Sequence, residues 1–152
     1  MNAIWAVHDE ARSAVGGIGL VKLMGRDAGF IALHSCLSNG DVNLVLIPEV
    51  RFEMQKVLDY VDKRLKNNGH CVIVVAEGAG QHLFEGEPDT FDASGNRLQK
   101  DIGHFLSSKI IEHLKSKHTP HTLKYVDPSY IIRAAPAYPV DSLLCMALAT
   151  NA

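Results

Sequence analysis

The run "CVIVVA", Cys71 to Ala76, constrains this chain more than any other stretch. It is continuously apolar and rich in β-branched residues, so it shows neither the two-residue alternation of a half-exposed strand nor the spacing of an amphipathic helix. It is also too short to span a bilayer. Such a run is a strand covered on both faces, and the usual cover is a layer of helices on each side of a mostly parallel sheet. The run continues into Glu-Gly-Ala-Gly, so the predicted strand segment is 71–80, "CVIVVAEGAG".

The rest of the chain supplies partners of the right kinds. Residues 4–14 read as a helix with Ile4, Val7, His8 and Ala11 on one face. "IGLVKLM" (18–24) reads as a strand, with Asp27 as N-cap of a helix over Ala28 to Leu37. "VNLVLIPE" (42–49) is predicted to be a second doubly covered strand. Met54, Val57, Leu58, Val61 and Leu65 form one helical stripe that stops at Asn67 to Gly69. Ile102, Phe105, Leu106, Ile110 and Leu114 mark another helix, followed by the strand-like "TLKYVD" (122–127). A last helix starts near Val140 or Asp141. This alternation predicts an α/β fold: a mostly parallel sheet flanked by helices on both faces.

With 152 residues and 47% hydrophobic composition, one domain with a real core is expected. A net charge of −2 gives no electrostatic case for nucleic acid, and no apolar run is long enough for a membrane. The N-terminus lacks the features of a signal peptide, and three cysteines, an odd number, fit reduced thiols; the expected location is cytoplasmic. His118 and His121 have a metal-like interval without a Cys or carboxylate partner, and "EGEPDTFD" (85–92) does not fit a calcium loop, so no metal site is predicted. "EGAGQ" lacks the second half of a P-loop, and "VGGIG" (15–19) precedes a strand, as a turn does. The long segment from Gln81 to Asn96 is predicted to be irregular.

In parallel sheets ligands bind beyond the carboxyl ends of the strands, which directs attention to "MGRDAG", "PEVRF", "EGAGQ" and "DPSYIIRAAP". Gly25 permits close approach of a ligand, the following helix offers N–H groups, and Arg26 offers a planar fork for phosphate or carboxylate. A solvated loop arginine fits the same pattern. Glu77 either accepts hydrogen bonds from sugar hydroxyls or simply ends a core strand in solvent. Lys124, Tyr130 and Arg133 cluster in sequence near the last strand exit, where Pro128 forbids a long helix and an irregular segment is expected. Two cations and a phenol there suit a phosphate; a basic surface loop is the alternative. No nucleophile is assigned.

Taken in order, "GIGLVKLMGRDAGFIALHS", "LVLIPE", "GHCVIVVAEGAGQ", "DASGN" and "LKYVDPSYIIRAAPA" resemble 6-phosphofructokinase, specifically the ATP-dependent plant and protist enzymes of the pyrophosphate-type lineage. The resemblance covers nearly the whole chain and is weakest around Arg51 to Gln55. It implies that Met24, Gly25 and Arg26 contact fructose 6-phosphate, that Glu77 holds the sugar, and that Tyr130, Ile131, Ile132 and Arg133 lie along the substrate, Arg133 toward its 6-phosphate. Lys124 falls where bacterial-type enzymes place an arginine that acts across a subunit interface; Gly17 stands where they carry a further substrate arginine.

The family's Gly-Gly-Asp-Gly phosphate loop and its Thr-Ile-Asp-x-Asp proton-acceptor motif do not occur in these 152 residues. The expectation is therefore a partial domain, residues 1–152, that grips the acceptor. The catalytic aspartate, ATP and Mg²⁺ would be placed by other parts of a homo-oligomeric enzyme, so the chain alone is expected to be inactive. Pyrophosphate as the donor is one alternative. A non-catalytic paralogue that binds sugar phosphate or full-length subunits is the other.

Overall fold

Four strands, β1 (Gly17–Leu23), β2 (Leu44–Leu46), β3 (His70–Ala76) and β4 (Thr122–Val126), form one sheet in the order β2-β3-β1-β4. The computed structural model describes residues 2–151 except Glu87, Asp89, Asp92, Asn96 and Arg97. Every strand pair is parallel, so all four carboxyl ends share one edge. β1 and β3 lie side by side at the centre over their full length, with Leu23 opposite Ala76.

Helices cover both faces. On one side α1 (Asn2–Ser13) and α2 (Phe30–Leu37) bury Ile4, Val7, Ala11 and Ala32 against Val21, Leu23, Val72, Val74 and Ala76. On the other, α3 (Met54–Asn68) and α4 (Ile102–Ser116) bury Val57, Val61, Leu106 and Ile110 against Ile18, Leu20, Cys71, Ile73 and Val75. The two-residue period of a strand divides β3 between these cores, which is why no polar residue interrupts it. α3 ends as its sequence predicts, at Gly69 in the left-handed region (φ 77°), whose N–H donates to the Leu65 carbonyl.

Three local expectations are corrected. The predicted strand 42–49 shrinks to Leu44–Leu46 and is an edge strand, half-buried apart from Leu46. Asn43 carries the ladder at its start with a side chain: Val72 N–H donates to Asn43 Oδ1 at 2.8 Å, and Pro48 has no N–H to extend the other end. α2 begins at Phe30 and Asp27 does not cap it; the Gly29 N–H donates to Glu49 Oε1 at 2.8 Å, while Asp27 Oδ1 accepts from Gln99 Nε2. Finally, the segment after Pro128 is not irregular. Pro128 is the N-cap of α5 (Ser129–Ala134), because a fixed φ near the start of a helix costs nothing there.

The strand 71–80 ends at Ala76, and a 3₁₀ turn, Gln81–Phe84, opens the segment expected to be irregular. Asp92 and Asn96 of the "DASGN" stretch lie outside the described residues. α6 (Pro139–Thr150) is exposed throughout. No helix among the described residues is long and apolar enough to cross a membrane.

This division of burial sets the stability of the chain. Ile73→Ala, at a fully buried position of the central strand, is expected to cost about 2–5 kcal/mol. Leu143→Ala, on α6 and 64% exposed, should change stability by no more than about 0.5 kcal/mol. Urea unfolding of the two variants beside the parent chain measures both.

Candidate functional site at the carboxyl edge

The turn after β1 adopts a conformation that needs external support. Gly25 has φ 148° and Arg26 has φ 49°, the left-handed region that costs a residue with a side chain roughly 1–2 kcal/mol. The support comes from β3. Glu77 Oε1 accepts the Arg26 N–H at 2.7 Å and the Gly25 N–H at 3.1 Å, while the Glu77 N–H donates to the Leu23 carbonyl at 2.8 Å. Ala28 N–H closes the turn on the Gly25 carbonyl at 3.0 Å. A side chain at residue 78 would run into the Arg26 carbonyl, so only glycine fits directly after Glu77.

Glu77 and the Met24–Arg26 turn therefore form one unit, half-buried at Glu77 and exposed at Arg26. The sequence paired these residues only through the strand-exit rule and the family resemblance. The amides of the turn itself, and that of the residue before α2, are already engaged. Glu77 takes the amides of Gly25 and Arg26, and Glu49 takes that of Gly29. A phosphate here would meet the guanidinium of Arg26 instead of these amides. Among the described residues no carboxylate pairs with that guanidinium.

Arg26 faces a cleft of about 670 Å³ whose other walls include Pro48, Gly78, Gln81 and Gln99. Gln81 holds the far wall: its Nε2 donates to the carbonyls of Glu77 (3.2 Å) and Lys100 (3.1 Å), and its Oε1 accepts the Lys100 N–H at 2.9 Å. Neither Gln81 nor Glu49 stood out in the sequence, because an amide or carboxylate in a turn carries no pattern of its own. Among the described residues no group of three or more His, Cys, Asp or Glu side chains is arranged to hold a metal ion, so no residue here is assigned to Mg²⁺.

The remaining candidates are not drawn into this unit. Lys124 lies in the middle of β4, opposite Gly19, well back from the carboxyl edge, and its Nζ is 3.4 Å from Glu10 Oε1 on α1. Tyr130, Ile131, Ile132 and Arg133 are exposed along α5, and no hydrogen bond or ion pair joins Arg133 to Arg26 or Glu77. The link between β1 and the start of α5 runs through Lys22. Lys22 Nζ lies 3.0 Å from Asp127 Oδ2, at the exit of β4, and 3.7 Å from Asp101 Oδ1, the N-cap of α4. A single cation in an otherwise apolar strand was the available signal.

The family profile described as Phosphofructokinase matches residues 1–152. The chain is 49% identical over 159 residues to an ATP-dependent 6-phosphofructokinase of Borreliella burgdorferi, covering 99% of this chain and 36% of that protein. It is 52% identical over 152 residues to an ATP-dependent 6-phosphofructokinase of Entamoeba histolytica (99% and 35%). It is 50% identical over 157 residues to ATP-dependent 6-phosphofructokinase 1 of Arabidopsis thaliana (99% and 33%). The chain thus spans about a third of the length of the curated relatives it matches. A solved pyrophosphate-dependent phosphofructokinase from Marinobacter aquaeolei superposes with a TM-score of 0.63 at 21% identity, over 92% of this chain and 32% of that one, a likeness of fold.

The clamp on the turn is directly testable. Glu77→Ala removes a charged acceptor from two amides, and each such bond contributes about 1.5–3 kcal/mol. Hydrogen exchange at the amides of Gly25 and Arg26 should accelerate at least tenfold in this variant. Unchanged exchange at both amides contradicts the clamp.

Proposed function

Because the chain belongs to the phosphofructokinase family, we propose that it forms the fructose 6-phosphate-binding part of an ATP-dependent 6-phosphofructokinase. The observation that carries this reading is Arg26. It is held in a strained backbone conformation by Glu77, at the carboxyl edge of a parallel sheet; among the described residues no carboxylate is within ion-pair distance of its guanidinium, though Asp27 lines the same cleft. Strain maintained by a dedicated carboxylate at a strand exit is the kind of feature that binding sites retain.

In the proposed reaction the γ-phosphoryl of ATP passes to the 1-hydroxyl of fructose 6-phosphate, and little covalent chemistry falls to the protein beyond placement and charge. Mg²⁺, when bound, neutralises negative charge on the phosphates. The share of this chain is placement. Arg26 offers a forked, permanently charged donor to the acceptor sugar phosphate. Glu77 keeps Oε2 without a partner among the described residues, and this oxygen accepts from a sugar hydroxyl while Oε1 holds the turn. Met24 and Gly25 form the wall beneath the sugar.

Tyr130 to Arg133 complete the grip from α5, with Arg133 toward the 6-phosphate. Lys124 would act across a subunit interface of a homo-oligomer; its exposure on the edge strand β4 is compatible with that role. The donor site and the group that takes the hydroxyl proton are assigned elsewhere in the enzyme, whose proposed location is the cytosol.

Two outcomes are expected. Arg26→Ala in an intact phosphofructokinase carrying these residues should raise KM for fructose 6-phosphate about ten- to hundredfold, the value of one charge-assisted hydrogen bond, with KM for ATP little changed. Steady-state kinetics in both substrates check this, and an unaltered sugar-phosphate KM overturns the assignment. The 152 residues by themselves should give no turnover with ATP or pyrophosphate in a coupled assay for fructose 1,6-bisphosphate. Robust turnover would place the proton acceptor within them.

A further inference from the structure

Lys22 is a costly residue at its position. It lies on the face of β1 that buries Ile18 and Leu20 completely, and its own side chain is only 17% exposed. An apolar residue would close that core without the expense of desolvating an ammonium. The cation is instead spent on two carboxylates, each of which begins a helix. Asp127 Oδ1 accepts the Ser129 N–H at 3.1 Å at the start of α5, and Asp101 Oδ1 accepts the His104 N–H at 3.1 Å at the start of α4. One ammonium thus joins β1 to the first turns of two helices.

The joint matters most for α5. Tyr130 is 84% exposed and Ile131 71%, so burial does little to fix the direction of this helix. Beside its covalent link to β4 through Asp127 and Pro128, the pair between Asp127 and Lys22 ties its start to β1, and Lys22 precedes the Met24–Arg26 turn by two residues. Both partners are charged. Burial works against the ammonium, but the hydrogen bond to Asp127 and the nearby Tyr125 and Asp101 more than offset it and raise its pKa. Burial likewise pushes the Asp127 carboxyl up, and the bonds from Ser129 and Lys22 outweigh it and hold the carboxyl below the usual range.

We propose that Lys22 is a positioning residue for the sugar-phosphate site: through Asp127 it fixes α5, with Tyr130–Arg133, relative to the turn that carries Arg26. The proposal rests on the function proposed above. Lys22 does not line the Arg26 cleft and touches no substrate in this scheme; it acts through its carboxylate partner.

The test uses an intact phosphofructokinase carrying these residues. Lys22→Met and Asp127→Asn should each raise KM for fructose 6-phosphate about tenfold, as expected when a gripping group is slightly misplaced. KM for ATP and kcat should stay close to the parent values, while the melting temperature should fall for Asp127→Asn, which leaves the buried ammonium without its nearest carboxylate. The double variant should be no worse than either single one, since both changes break the same bond. Lys22→Arg, which keeps a cation within reach of Asp127, should recover most of the loss. Arg26→Ala serves as the control. If it raises KM for the sugar phosphate while Lys22→Met and Asp127→Asn leave it unchanged, the positioning role is overturned and the site reading stands. If Arg26→Ala also has no effect, the site reading itself fails and the proposal with it. A lowered melting temperature with unchanged KM assigns Lys22 to stability alone and equally overturns the proposal.

Discussion

Everything at the carboxyl edge depends on the parallel register of β1 against β3. Leu23 opposite Ala76 brings two adjacent strand exits to the same height, and the Glu77 carboxylate then falls within reach of the Gly25 and Arg26 amides. A shift of a single residue would point Glu77 to the other face of the sheet. The register is fixed by burial: alternate residues of both strands belong to separate cores, each packed by its own pair of helices. The site inherits its geometry from the hydrophobic interior.

The edge is wired by carboxylates. Glu77 holds the turn, Glu49 takes the Gly29 amide before α2, Asp101 caps α4, and Asp127 supports the start of α5. Carboxylates are favoured at helix starts because the backbone there presents unsatisfied N–H groups and the positive end of the dipole. Their collective effect is to occupy amides that would otherwise attract an anion. That leaves Arg26 and Arg133 as the cations for a phosphate in the proposed site.

The elements whose apolar spacing is unambiguous are legible in the sequence alone. β3 reads directly from its continuous run, and α3 from its stripe and terminal glycine. That legibility fails where polar atoms decide the outcome. β2 is three residues long because the Asn43 side chain and Pro48 bound its ladder, and α2 starts late because Glu49, twenty residues on, takes the Gly29 amide. Pro128 rules out a long helix, and α5 is only six residues, but the irregular segment expected after it is a short helix because the fixed φ suits a helix start. Arg26 and Glu77 were legible as residues of interest, the latter as a ligand contact; its bond to the turn was not.

By itself the sequence determined the fold class, the order of the strands and of every helix but the short α5, and the strand exits as the place to look, because these follow from local periodicity and from the need to cover a doubly apolar strand. The phosphofructokinase relationship was equally legible, since it rests on the order of residues along the chain. Only the tertiary structure decided which exits meet. Lys22 with Asp127 and Asp101, and Glu77 with Arg26, are contacts between residues 51 to 105 positions apart, or 79 for the pair to α4. Nothing in the local pattern specifies such pairs; they exist because the sheet order β2-β3-β1-β4 sets β1 between β3 and β4 and gathers their ends on one edge.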